Sequence, residues 1–157
     1  MEHMTEVHSE AGLYEEFRTS LIRFATVLVG PDDAPDVVSD AMESLLKSGR
    51  LAGAESPKAL MHRAVVAKAK SMQRSLFRRR ARERRFIGRW TTEQPGFNPD
   101  VVDAIVRLSP QQRACVYLTY WEDLTPQMVA RRLDIGEGTV KQYLARARAK
   151  LREVLDD

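Results

Sequence analysis

Residues 124–151 read LTPQMVARRLDIGEGTVKQYLARARAKL, two short helical patterns separated by a three-residue gap. Thr125-Pro126 supplies a helix cap followed by the one proline position a helix tolerates. At the corner, Asp134 is a residue type that accepts a left-handed backbone, and Gly136 can serve as the N-cap of the following helix. Ala130 is small where two helices must approach closely, and Ile135 supplies an apolar plug. Val140, Leu144, Ala147, Leu151 and Val154 then recur at spacings of four and three, so one face of the last helix is buried. Thr139, Lys141, Gln142, Arg146 and Lys150 remain pointing outward. The pattern predicts a helix-turn-helix whose second helix offers hydrogen-bonding and cationic side chains at its N-terminal end, where base edges of a major groove are reached.

Outward from this corner, the rest of the chain also reads as helical. Ser109-Pro110-Gln111-Gln112 is a capping box that starts a helix running to about Tyr120. Leu13, Phe17, Leu21, Phe24 and Leu28 form one apolar stripe on a helix ending at Gly30-Pro31. A second helix is expected from Asp33 as N-cap to Ser48-Gly49, burying Val38, Ala41, Met42 and Leu45. The segment SGRLAGAES (48–56) reads as a loop, and Ser56-Pro57 opens a long helix with Met61, Val65, Met72 and Leu76 on its apolar side. No alternating apolar pattern occurs, so the expected class is all-α. Residues 86–98 carry glycine and proline signals without a helical stripe and read as a flexible linker between two small helical domains, 10–85 and 99–155.

The net charge of +3 conceals strong segregation. Residues 1–56 carry four basic and eleven acidic side chains, whereas residues 57–90 carry twelve basic ones against Glu83 alone. An acidic module beside a cationic block suggests two different partners, one of them polyanionic. Arg78, Arg79, Arg80, Arg82, Arg84 and Arg85 form a run able to neutralise several phosphates with steep salt dependence. Asp36, Asp40 and Glu43 sit at spacings of four and three on one face of the second helix, opposite its apolar side.

With 43% apolar and 30% charged residues the chain is globular. One cysteine, Cys115, excludes an internal disulfide, and with only His3, His8 and His62 beside it no metal spacing exists, so neither metal nor cofactor is expected. Paired carboxylates in an apolar cleft, a glycine-rich phosphate loop and a cysteine-histidine pair are all missing, which argues against an enzyme. No apolar stretch reaches membrane-spanning length and no signal-peptide pattern opens the chain, so a cytoplasmic location without membrane insertion is expected. Cys115, Met72 and Met128 are expected to be packing residues.

The stretch LSPQQRACVYLTYWEDLTPQMVARRLDIGEGTVKQYLARARAKLREVL closely resembles region 4 of bacterial extracytoplasmic-function (ECF) sigma factors. Ile135, Glu137, Gly138, Thr139, Val140 and Lys141 match the family's pattern in place, as do Arg146, Ala147 and Arg148. Residues 13–85 resemble region 2 more loosely. Here the family usually has Gln-Glu at Ser39-Asp40, Trp at Leu60, Asn at Ala67 and Asp near Ser71.

The resemblance implies a two-domain factor that binds core RNA polymerase, directs it to promoter DNA and helps open it. By that resemblance Asp36, Asp40 and Glu43 face the polymerase. Arg74, Arg78, Arg79, Arg80 and Arg82 lie on the minus-10 element and its backbone, and the loop 48–56 holds an extruded base. Thr139, Lys141, Gln142 and Arg146 read the minus-35 element. An anti-sigma factor stands open as a further partner. Two other readings of the residues are a free-standing helix-turn-helix repressor, which would need a dimerisation element, and an arginine-rich RNA-binding adaptor, which would leave the corner at 134–136 unexplained.

Overall fold

The computed structural model of the chain describes residues 10–73 and 99–155. Seven helices and no strands occur among them: α1 (Glu10–Val29), α2 (Ala34–Ser48), α3 (Pro57–Gln73), α4 (Pro99–Val106), α5 (Pro110–Tyr120), α6 (Pro126–Leu133) and α7 (Glu137–Leu155). The arginine run from Arg78, Arg74 before it, Leu76, Phe77, Phe86, Trp90 and the expected linker 86–98 lie outside the described residues.

The helix ends follow from local chemistry. Ser56 Oγ accepts from Ala59 N at 3.3 Å and starts α3, while Gly49 adopts φ 68° and closes α2. The capping box at Ser109 is complete, with Gln112 N donating to Ser109 Oγ at 3.2 Å and Ser109 N to Gln112 Oε1 at 3.1 Å. One expectation fails. Asp33 holds the N-cap position of α2 but in a helical backbone conformation (φ −94°, ψ −15°), and its side chain makes no capping hydrogen bond. Backbone bonds replace the cap, from Ala34 N to Gly30 O at 3.1 Å and from Val37 N to Asp33 O at 3.0 Å. The chain turns between α1 and α2 through Gly30 at φ 90°, so the entry into α2 is already helical and an extended cap has no room to form.

Packing joins what the sequence separates. Helices α1–α3 form one three-helix module around Leu21, Phe24, Leu28, Val38, Met61 and Val65, all 2% exposed or less. Helices α4–α7 form the second, around Leu108, Ala114, Leu118, Val129, Val140 and Leu144. Residues of both modules belong to a single buried cluster, with α1 and α3 of the first seated on α5 and α6 of the second. The Phe24 ring lies 5.4 Å from that of Tyr117, centroid to centroid, at the centre of this junction. Nothing in the local sequence pattern announced this docking.

Two methionines diverge. Met72 is half-buried against the core as expected, whereas Met128 is 47% exposed, because it falls on the outer side of the short α6. Leu51, within the expected loop, is buried and anchors that loop to the first module.

Candidate nucleic-acid interface

The corner between α6 and α7 is built by three local devices. Thr125 Oγ1 accepts from Met128 N at 3.2 Å and starts α6. Asp134 takes φ 55°, ψ 50°, the left-handed conformation, and its N–H returns to Ala130 O. Ile135 N donates to the same carbonyl at 3.0 Å, so two consecutive amides close the end of α6 in the manner of a left-handed helix stop. Val129, Ala130 and Leu133 are buried on α6, and Val140, Leu144 and Ala147 on α7. Ala130, at 8% exposure, leaves the space in which the two helices cross.

This packing fixes which side of α7 faces out. Lys141, Gln142 and Arg146 are exposed and Thr139 is half-buried at the rim, on the first three turns of a nineteen-residue helix. Thr139, Gln142 and Arg146 follow one another at spacings of three and four and so share a face. Lys141 pairs with Glu137 at 3.3 Å, both substantially exposed, a contact that a phosphate could readily replace. Farther along, the outward reading of Lys150 needs revision: its Nζ donates to Arg107 O at 3.1 Å, tying α7 to the end of α4. Arg148 Nε donates to Tyr120 Oη at 2.9 Å, and Tyr143 Oη to Gln111 Oε1 at 3.2 Å. Arg148 and Lys150 therefore brace the module, and the cationic side chains of the first turns are presented to solvent.

Gly138 sits where nothing inside the chain requires a glycine. It lies in the first turn of α7, where a glycine costs helix stability, and a Cβ built there meets nothing within 4 Å. No internal contact demands the absence of a side chain. An external surface approaching this turn closely would.

On the first module, Asp36, Asp40 and Glu43 are all exposed on α2, opposite Val38, Ala41, Met42 and Leu45. Glu43 is bound to Lys47 at 2.9 Å, and this hydrogen bond with its ionic attraction holds the Glu43 carboxyl below its ordinary range. Part of the acidic face is thus already neutralised. Three of the four departures from the region 2 pattern, Ser39, Ala67 and Ser71, are exposed, and Leu60 is half-buried against the core. They alter a surface without disturbing a fold.

The junction between modules carries its own polar chemistry. Arg113, 6% exposed, donates from Nε to Ile105 O (3.1 Å) and Leu108 O (3.0 Å) and from Nη1 to Leu28 O (2.6 Å) across the junction. In the other direction, Arg63 of α3 donates to Arg132 O at 3.1 Å and Arg131 O at 2.7 Å, the carbonyls ending α6. Glu122 lies 3.6 Å from Lys58 Nζ, 3.4 Å from Arg132 Nη1 and 4.0 Å from His62 Nε2. His62 is fully buried with Nδ1 at 2.7 Å from Lys58 O. Burial, with the charges of Arg132 and Lys58 beside it, pushes its pKa down to about 4 against the pull of the Lys58 carbonyl and Glu122. Nothing in the sequence pattern marked Arg63, His62, Arg113 or Glu122, because their partners lie far away along the chain.

The second module thus carries a helix-turn-helix and the first an exposed acidic helix face, and comparison with known proteins places the chain. The family model for sigma-70, region 4 matches residues 100–151. ECF RNA polymerase sigma factor SigL of Mycobacterium tuberculosis is 30% identical over 92% of this chain and 88% of its own length. RNA polymerase sigma-E factor of Streptomyces antibioticus is 41% identical over 66 residues, 42% of this chain and 37% of that protein, so the chain spans little more than a third of that relative. Among solved structures, the sigma factor RpoE from Bartonella quintana, in complex with the anti-sigma factor NepR, has the same fold (TM-score 0.57, 23% identity, covering 92% of this chain and 96% of that one). The chain belongs to the ECF sigma factor family.

Proposed function

We propose that this chain is a promoter-specificity factor that joins core RNA polymerase, brings it to promoter DNA and assists strand opening. Family membership supports this reading, and the observation that carries it is the outer face of α7: exposed Lys141, Gln142 and Arg146 with Thr139 at the rim, set at a helix-turn-helix corner. In the proposed division of labour, residues 10–85 act as region 2, 86–98 as a linker and 99–155 as region 4. Thr139, Lys141, Gln142 and Arg146 meet the minus-35 element, where glutamine pairs with adenine and lysine or arginine with guanine. Asp36, Asp40 and Glu43 meet a basic surface of the polymerase. Arg74, Arg78, Arg79, Arg80 and Arg82 neutralise phosphates at the minus-10 element.

The action is binding and positioning, without catalysis by the chain, in the cytoplasm where polymerase and chromosome are found. Among the described residues no helix is long and apolar enough to cross a membrane. An anti-sigma factor is a further proposed partner, since the structural neighbour RpoE is bound by one. Run-off transcription with core polymerase, with and without the chain, tests the reading. A transcript that appears only with both is the expected result. A chain that binds promoter duplex but never co-elutes with core polymerase would instead be a repressor.

A further inference from the structure

Glu137 opens α7 and is the one acid on the first two turns of that helix. A carboxylate there suits the positive end of the helix. Yet it stands on the surface proposed to meet a polyanion, where phosphates repel it unless a group in the groove donates to it. Its side chain is 48% exposed and lies 3.3 Å from the ammonium of Lys141, itself 64% exposed. Water screens such a pair, so it stabilises the helix little and is exchanged for other partners at small cost.

Glu43–Lys47 and Asp103–Arg107 repeat this spacing on other helices. Of the three pairs, Glu137–Lys141 alone stands at the start of the helix after the corner, the part of a helix-turn-helix that reaches base edges. Helical geometry puts Glu137 and Lys141 in one row, and Thr139, Gln142 and Arg146 in another. Gly138 lies between the rows, and the space a side chain would fill there is open. A base pair approaching through that gap comes within reach of both rows.

We propose that Glu137 is a specificity-determining residue that acts with Lys141 to read one C·G pair of the minus-35 element. The inference rests on the promoter-binding reading of α7. In the major groove cytosine offers its N4 amine as a donor, and guanine offers O6 and N7 as acceptors. N4 and O6 are hydrogen-bonded to each other within the pair, so they lie roughly 2.9 Å apart. The carboxylate and ammonium of Glu137 and Lys141 present the complementary acceptor and donor at nearly that separation. Docking exchanges one screened ion pair for two charge-assisted hydrogen bonds in a groove cleared of water.

Other pairs fit badly. Adenine N6 is flanked by two acceptors, its own N7 and thymine O4, and both repel a carboxylate that approaches the amine. A reversed G·C pair sets guanine O6 and N7 against Glu137. The acid thus selects as much by what it rejects as by what it binds.

Selection from a pool of randomised duplexes, by the full-length chain bound to core polymerase, tests the proposal. The unsubstituted chain should enrich cytosine at one position roughly tenfold or more over the other bases. Glu137→Ala should lose that preference while other positions keep theirs, with helical content unchanged by circular dichroism. Glu137→Gln should relax the preference toward adenine, because an amide accepts from N6 and donates to N7. Lys141→Ala should erode selection at the same position. An equal gain for every duplex with Glu137→Ala overturns the proposal, since it marks a charge that repels DNA without reading it. Glu137→Gln selecting as sharply as the unsubstituted chain, or Lys141→Ala acting at a different position, overturns it too. A chain that never co-elutes with core polymerase, or enriches no sequence, sinks the promoter-binding reading and this inference together. Failure of the inference alone shows as normal co-elution and an enrichment that Glu137→Ala leaves unchanged.

Discussion

The corner at residues 125–146 and the junction between modules are two kinds of polar construction. At the corner every determining hydrogen bond spans three to five residues: Thr125 to Met128, Ala130 to Asp134 and Ile135. At the junction the bonds from Arg63 and Arg113 to the opposite module span 68, 69 and 85 residues. The first kind is encoded within about one turn of sequence and holds a shape. The second exists only when two finished modules meet, and each of its bonds is lost when they part. A structure built this way keeps its reading surface rigid and makes the relation between its halves adjustable.

Removing the long-range kind should have the largest effect. Arg113→Ala removes the guanidinium from the buried carbonyls of Leu108 and Leu28 and from the part-buried Ile105 O, and should cost about 3 kcal/mol in urea unfolding. A loss below about 1 kcal/mol would mean that water replaces the guanidinium and that the junction is not a buried polar network.

Next comes the reading surface. Gln142→Ala should lose about 1–3 kcal/mol at one position of the minus-35 element and little elsewhere. Lys150→Ala should weaken all sequences slightly and equally, with a stability loss from its broken bond to Arg107 O. Binding to singly substituted duplexes checks both, and a uniform loss for Gln142→Ala would show that α7 does not lie in the groove as assigned.

Proton linkage probes the junction more gently. The pKa of His62 is held near 4, below its ordinary 6.5, so the folded, docked chain binds fewer protons than the unfolded one. Stability is therefore full above about pH 6.5 and falls as the pH drops from there toward 4. At pH 5.5 the loss should be about 1 kcal/mol. The difference in unfolding free energy between the unsubstituted chain and His62→Gln, followed from pH 7 to 5, isolates this effect from carboxylates that titrate in both. A flat difference would place His62 in a wetter site.

The smallest effect should have opposite signs in two assays. Gly138→Ala should stabilise the fold by roughly 0.5–1 kcal/mol, since helix propensity improves and the added methyl meets nothing. It should nevertheless weaken binding to promoter duplex if DNA backbone approaches that turn. Improvement in both would leave the glycine without a role at the interface.

The same contrast explains what the sequence made legible. Ser109, Thr125, Gly49 and Asp134 announced their helix ends because a cap and its recipient lie within one turn. The apolar stripes likewise declared their buried faces through Leu21, Phe24 and Leu28 of α1 and Val140, Leu144 and Ala147 of α7, while Leu151 is only half-buried. Asp33 misled because its conformation is set by the turn at Gly30 and not by its own capping preference. Lys150 misled because its acceptor, Arg107 O, belongs to a helix some forty residues earlier. Of the candidate site, the outward set on α7 could be read from periodicity. The caps by Arg63 and Arg113, and the burial of His62, could not, since no local pattern states which helix end a distant arginine will meet.

The contact between Arg113 and Leu28 O also has a meaning in time. A chain grows from its N-terminus at about 5–20 residues per second, so the guanidinium emerges roughly 4–17 s after the carbonyl it will cap. Throughout that interval the three N-terminal helices can assemble, but with the end of α1 open to water and the Phe24 ring lacking its neighbour Tyr117. A nascent chain stalled in this window presents an apolar face that the docked protein covers, the sort of surface that ribosome-associated chaperones bind.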